Sequence, residues 1–336
     1  MEARAPETTG DRRAGEEGDT APGARAPSPP SLDRLAAGPI FVVGHPRSGT
    51  TWVYDMLTCH PEVAGVLESW LFTRATGLAR LFDDRLWGEE SVARQRATVG
   101  AAVGLAHLLT RDELRDEVRE LAGRVLGRAL EPHHRYLVEK TPTPYTDVEL
   151  VMEVFPEARL VHVVRDGRDM AVSLRAAALS WNPGWRAFAG DAHLRRLRAL
   201  HRSSESWALT VRGTRGVGRR LGARHLEVRY EDLQAAPDDA ARRIFDFCQI
   251  PHDPQLIEDV GARTDFDRQF KGGEDEFRRR GRTGEWRERF GVIDGLLFEL
   301  GSRAALRELG YEPNRLWWAT SSLPPRGTWT RAAAAR

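Results

Sequence analysis

The sequence predicts an α/β fold built on a doubly wound, mostly parallel sheet. Three observations carry that prediction: five short, nearly all-apolar runs, helix-period segments alternating with them, and a glycine-bracketed turn directly after the first run. Strands that lack in/out alternation are those covered on both faces, as in parallel sheets flanked by helices. Strand–helix alternation is the pattern of a doubly wound domain. At 336 residues, 41% of them hydrophobic, the chain can bury the core such a domain needs.

Residues 1–37 are rich in Ala, Pro, Gly, Arg and Glu without apolar periodicity and read as a disordered tail. One domain then spans 38–312. Its first strand is Ile40–Val43, which turns through GHPRSGTTW, Gly44–Trp52, into a helix from Thr50. The second strand, Val63–Leu67, ends at Glu68. A helical insertion occupies about 70–133; within it, the T-R-D-E at Thr110 is a capping box, followed by a period near 3.6 through Leu130. The third strand, Tyr136–Glu139, leads to Lys140 and to a helix from about Tyr145. The fourth, Leu160–Val164, leads to Arg165, an Asp-Gly turn and a helix from Asp169. A long helix runs from about Trp185 to Leu221. The fifth strand, His225–Arg229, delivers Tyr230, and another helix starts at Pro237. From Pro313 the chain reads as an irregular tail, with Trp317 and Trp318 placed to pack back on the body.

Composition excludes several classes. A net charge of +1 gives no bulk attraction to nucleic acid or anionic membrane. No apolar run reaches the roughly 18 residues of a membrane span, and no signal-peptide core opens the chain, so the expectation is a soluble, cytoplasmic protein. Cys59 and Cys248 sit in apolar periodic stretches and read as thiols. Of 50 basic residues only Lys140 and Lys271 are lysines, which draws attention to Lys140.

The turn after the first strand aims backbone N–H groups and a helix N-terminus at one spot, which favours an anion. Gly44 and Gly49 bracket four residues, as in a nucleotide P-loop. The lysine that closes a P-loop is missing: Thr50 and Thr51 stand there, and the loop's cation is Arg47. That argues against an ATP- and Mg²⁺-dependent kinase, which remains the competing enzyme reading. Farther on, Arg165 and Ser173, eight residues apart across a strand–turn–helix, can share one phosphate. Arg168 and Asp169 between them read as a salt-bridged turn.

These motifs resemble the sulfotransferases that use 3′-phosphoadenosine 5′-phosphosulfate (PAPS), with features of the bacterial, tyrosylprotein and cytosolic branches. Pro46–Trp52 is similar to the loop that cradles the 5′-phosphosulfate, involving Arg47, Ser48, Gly49, Thr50 and Thr51, with Trp52 near the adenine. By the same resemblance Arg165 and Ser173 bind the 3′-phosphate, Arg279, Arg280 and Gly281 wrap it, and Tyr230 lies near the adenine. The resemblance runs from Pro39 to Phe290 and implies a P-loop-kinase-like sheet.

It also implies the chemistry. Many relatives carry Lys-Thr-His after the third strand, lysine stabilising charge and histidine acting as base. Here the stretch reads Lys140-Thr141-Pro142, so the lysine is kept and the base is not. His133 and His134 precede the strand, at its far end. Other branches place a glutamate at the end of the second strand, about twenty residues beyond the loop cation; Glu68 stands 21 residues beyond Arg47. The resemblance thus implies an EC 2.8.2 enzyme that moves a sulfuryl group from PAPS to a hydroxyl of a small molecule, sugar or lipid, releasing PAP without a metal. Glu68 would be its base, with Arg47 and Lys140 stabilising charge. A non-catalytic PAP-binding protein is the other alternative. Trp70, Trp87, Trp181 and Trp185 favour a partly hydrophobic acceptor; oligomeric state is not legible.

Overall fold

The computed structural model describes residues 32–74, 77–83, 87, 108–142, 145–180, 193–264, 281–312 and 316–320. They form a five-stranded sheet with β1 (Ile40–Val43) at its centre, followed by β2 (Val63–Leu67), β3 (Tyr136–Lys140), β4 (Arg159–Val164) and β5 (His225–Arg229). The spatial order is β2-β3-β1-β4-β5, and every pairing is parallel. The expected α/β doubly wound sheet is therefore present. Its helices are α1 (Thr50–Thr58), α2 (Arg111–Gly127), α3 (Tyr145–Val154), α4 (Gly167–Ser180), α5 (His193–Leu221), α6 (Tyr230–Ala235), α7 (Pro237–Cys248), α8 (Pro254–Thr264), α9 (Trp286–Arg289) and α10 (Val292–Glu308).

The central strand shows why the runs had to be wholly apolar. Successive side chains point to opposite faces. Phe41 and Val43 enter one core with Phe155 and the α2 stripe Leu114, Val118, Ala122 and Leu126. Ile40 and Val42 enter the other with Val53, Met56 and Leu57 of α1 and Phe245 of α7. A third cluster gathers Trp207, Trp286, Phe298 and Trp317 around α4, α5 and α10.

Boundaries shift in ways local chemistry explains. β3 extends one residue to Lys140 because that residue pairs with both Val42 and Leu67. α4 begins two residues early, at Gly167, and α5 is described from His193. Thr110 caps α2 with the expected box: its hydroxyl accepts from Glu113 N–H, and Glu113 accepts from Thr110 N–H at 2.7 Å. Residues 32–37, assigned to the tail from sequence, are ordered against the body. Leu32–Arg34 form a 3-10 turn, Leu32 and Leu35 pack on the core, and Ala36 N–H donates to Arg135 O. At the other end Trp317 is buried, edge-on to Trp286 at 5.0 Å. Both cysteines are free thiols. No described helix is long and apolar enough to cross a membrane.

Parallel strands put all their carboxyl ends on one edge. Along that edge, in sheet order, stand Glu68, Lys140, the loop after β1, Arg165 and Tyr230. Connections run from β1 to one side first and then to the other, so β1 is the switch point where doubly wound sheets bind ligands.

Candidate active site

The loop between β1 and α1 is curled by two left-handed residues, Arg47 (φ 73°) and Gly49 (φ 95°). Gly49 leaves room for a neighbour as well as for the turn: a Cβ there would lie 2.5 Å from Tyr230 Cδ2. Gly44 is equally constrained, since a Cβ would meet Val163 O at 2.5 Å. Thr50 is buried with its methyl against Gly44, and Thr51 is half-buried beside it. Ser48 Oγ is buried and has no hydrogen-bond partner among the described residues.

Two guanidinium groups meet behind the loop. Arg47 Nε donates to Ser173 Oγ of α4 at 3.1 Å. Arg165 donates to Arg47 O at 3.2 Å and to Gly281 O at 3.1 Å, while its Nε is buried without a partner among the described residues. The Arg165 guanidinium lies 4.3 Å from the Tyr230 ring centroid. Burial first, and the Arg165 charge second, lower the Arg47 pKa to about 10. Two like charges withdrawn from water and an orphaned hydroxyl are the features of an anion site. Tyr230 also meets Trp52, with centroids 5.8 Å apart and planes at 69°. Arg47, Ser48, Gly49, Trp52, Arg165, Ser173, Tyr230 and Gly281 thus converge. Arg279 and Arg280 lie outside the described residues.

At the other end of the edge, Lys140 Nζ donates to Glu68 Oε1 at 2.7 Å. The lysine side chain is 2% exposed and the glutamate 40%, so the ammonium is buried and the carboxylate faces outward. Glu68 and Trp70 are both left-handed at φ 54°, a conformation costly for large side chains. Glu139 holds this segment: buried between the strands, it accepts from Ser69 N–H at 3.3 Å, Ser69 Oγ at 2.7 Å and the Thr141 hydroxyl. Of the four non-glycine residues with positive φ among those described, Arg47, Glu68 and Trp70 border this edge. Strain of that kind clusters at functional sites.

Two residues of the site, Glu139 and His45, were not singled out from sequence, and the Arg168–Asp169 turn is partnered differently than expected. His45, in the loop itself, sits 3.2 Å from Ser206 Oγ of α5 and is held neutral by burial, its pKa lowered to about 4. Arg168 pairs with Asp166 at 2.7 Å and Glu312 at 3.3 Å rather than with Asp169. Asp169 instead accepts from Gly284 N–H and Trp286 N–H, 115 and 117 residues downstream. Nothing local in the sequence signals such a partner. Of the tryptophans expected near an acceptor, Trp70 is 46% exposed beside Glu68, whereas Trp87 packs on the core and donates to Leu81 O at 2.6 Å. Trp181 and Trp185 lie outside the described residues. His133 and His134 stand before β3, at the edge opposite the site.

A family model described as "Sulfotransferase family" matches residues 39–254. The protein-tyrosine sulfotransferase of Drosophila melanogaster is 26% identical over 220 residues, covering 65% of this chain and 39% of that protein. Nodulation protein NoeE of Sinorhizobium fredii is 25% identical over 230 residues, 66% of this chain and 52% of the relative. An uncharacterized Aquifex aeolicus protein is 26% identical over 224 residues but only 26% of its length is matched, so the chain spans between about a quarter and about half of these relatives. Among solved structures, mouse sulfotransferase SULT7A1 complexed with PAP superposes with a TM-score of 0.55 at 16% identity, over 83% of this chain and 90% of the other. That likeness establishes the fold in common.

Proposed function

The chain belongs to the sulfotransferase family, and from that premise we propose that it transfers a sulfuryl group from PAPS to an acceptor hydroxyl, with Glu68 as general base. The observation that carries this reading is the buried Arg165 guanidinium and the half-buried Arg47 converging with Ser173 behind a strand–helix loop. The residues present fit the co-substrate. Loop N–H groups, Ser48, Gly49, Thr50 and Thr51 would hold its 5′ end; Arg165, Ser173 and the segment Arg279–Gly281 would hold the 3′-phosphate. Trp52 and Tyr230 offer aromatic surface to the adenine. Bound there, PAPS supplies an activated sulfuryl group and a phosphate leaving group.

The protein's own part is charge placement and proton transfer, as in phosphoryl transfer. Arg47 is positioned to meet negative charge on the leaving side. Glu68, at the mouth of the edge, accepts the proton of the incoming hydroxyl at its carboxylate. Lys140 orients that carboxylate and offers its remaining N–H groups to charge that develops nearby. Leu67 and Trp70, 53% and 46% exposed on either side of Glu68, favour an acceptor with an apolar or ring surface next to its hydroxyl. Acceptors to screen therefore include phenols, tyrosine among them, sugars and lipid alcohols.

The test is calorimetric binding of PAP against ATP with Mg²⁺, followed by transfer from labelled PAPS across that screen. Selective PAP binding with turnover supports the reading. Preference for ATP with Mg²⁺ would restore the kinase alternative, and PAP binding without turnover on any acceptor would leave a nucleotide-responsive binding protein.

A further inference from the structure

The descending arm of the arginine-rich segment, Gly281–Trp286, is fastened at four points, and each fastening comes from an element that follows a strand end. Asp169, in the first turn of α4, accepts from two backbone donors of the arm, Gly284 N–H at 2.6 Å and Trp286 N–H at 2.9 Å. Gln234 of α6 grips it with both ends of its amide: Nε2 donates to Gly281 O at 3.1 Å, and Oε1 accepts from Thr283 Oγ1 at 2.5 Å. Arg168 lies 3.9 Å from the Trp286 ring centroid and 4.6 Å from that of Trp317, so the arm's far end is clamped as well. The fourth point is Gly281 O itself, which accepts from Arg165 at 3.1 Å.

That last contact gives the others a consequence. A guanidinium is a rigid planar fork, and its usefulness depends on where the fork is aimed. Arg165 is aimed by two carbonyls, Arg47 O and Gly281 O, and by the Tyr230 ring. Arg47 O is fixed by the loop. Gly281 O is fixed only as well as the arm is.

We propose that Asp169 and Gln234 are positioning residues which, by pinning the Gly281–Trp286 arm, aim Arg165 and so set the protein's preference for a 3′-phosphorylated nucleotide over one lacking that phosphate. The proposal rests on the PAPS reading above and assigns the pin to residues that need not touch the nucleotide.

Asp169 brings a second signature. Burial, reinforced by the charge of Asp166 and opposed by the two N–H bonds and Arg165, raises its pKa to about 6. The groups that face it are Asp166 and Arg165 from the end of β4, the Tyr230 phenol from α6, and from the arm the two backbone donors. Protonation near pH 6 weakens an acceptor that serves two donors at once, so the arm loosens in acid. The effect on global stability has the opposite sign. The folded state holds this proton more tightly than the unfolded chain, so the group favours folding as pH falls from about 6 toward its ordinary range. Loosening of the arm is thereby separable from unfolding.

The experiment measures calorimetric affinity of the full chain for PAP and for AMP, in wild type, Asp169→Asn, Asp169→Glu and Gln234→Ala, between pH 5 and 8. The expected result is a preference for PAP that shrinks about tenfold in Asp169→Asn and Gln234→Ala, with AMP affinity held within about twofold. Asp169→Glu recovers part of it. Taking the ratio of wild type to Asp169→Asn cancels the titration of the nucleotide phosphates; that ratio falls toward one below pH 6. Equal weakening of PAP and AMP in both variants would make the pin merely structural and overturn the proposal, as would an unchanged preference. A wild type that does not prefer PAP over AMP would overturn the cofactor reading itself, a failure distinct from that of the pin.

Discussion

The two halves of the strand edge solve opposite electrostatic problems. Over β1, β4 and β5, a buried and a half-buried guanidinium lie near each other, and the Arg165 charge adds to the burial that lowers the Arg47 pKa. Over β2 and β3, a buried ammonium and an outward carboxylate satisfy each other at 2.7 Å. The first half gathers two positive groups with Asp169 as a nearby carboxylate, whereas the second pairs one positive and one negative group directly. The difference teaches how labour is divided on one edge. Under the proposed function a polyanionic nucleotide would bind where like charges have been gathered, while the Glu68–Lys140 end, neutral overall, would handle the proton.

The largest expected effect tests whether the two ends act independently. Glu68→Gln removes the proposed base while keeping shape and the hydrogen bond to Lys140, so turnover should fall by about 10²–10⁴ with the PAP dissociation constant unchanged within about twofold. Steady-state rates paired with calorimetry read both quantities. A parallel loss of PAP affinity would show that the ends are coupled and that the division is wrong.

Arg165→Ala is the reciprocal change and the next in size. Under the proposed function it removes a charge-assisted contact to phosphate, worth about 10- to 100-fold in affinity for PAP. The same mechanism makes PAP a strong stabiliser of the folded state: at 100 times its dissociation constant it should add about 2.7 kcal/mol to unfolding free energy. Thermal melts with and without PAP should show that increment in wild type and only about 0.4–1.4 kcal/mol of it in Arg165→Ala at the same concentration.

The asymmetry within the Glu68–Lys140 pair gives a smaller effect. Glu68→Ala strands an ammonium that is 2% exposed, whereas Lys140→Met leaves a carboxylate that is 40% exposed and within reach of water. The first should cost about 1–3 kcal/mol in urea unfolding, as for a buried charged group left unsatisfied. The second should cost less, under about 1 kcal/mol, as for an exposed pair. Equal costs would mean that the lysine is not sealed between β3 and its neighbours.

What the sequence discloses divides along the same line. Arg47, Arg165 and Tyr230 each stand at a short fixed offset from the end of an apolar strand, so finding the strand finds the residue, and a parallel sheet then brings the three together. The anion end is therefore legible from local pattern. The pair at the other end depends on register: Leu67 opposite Lys140 brings Glu68 beside it, and that alignment joins segments 72 residues apart. Position and residue type pointed to Glu68 and Lys140 separately, yet not to their union or to the burial of one partner alone. Asp169 is the extreme case. Its motif is local, but its partners are backbone donors more than a hundred residues away, and backbone donors carry no residue identity that a sequence pattern could register.

The last effect is confined to acid pH and concerns His45, the one titratable group inside the anion loop whose ordinary range lies near neutrality. Burial holds it near pH 4, against 6.5 when exposed. Between those values the unfolded chain binds a proton that the folded loop refuses. Its contribution is therefore present above pH 6.5 and is lost as pH falls toward 4, with a slope of at most one proton, about 1.4 kcal/mol per pH unit. His162, fully buried and lowered to about 3, adds to the same acid limb, so the comparison must be a difference. His45→Asn does not titrate and keeps a polar partner for Ser206. The stability gap between it and wild type should be constant above pH 6.5 and change by about that slope below. A gap independent of pH would mean that the histidine reaches water, and that the loop is less sealed than the guanidiniums behind it require.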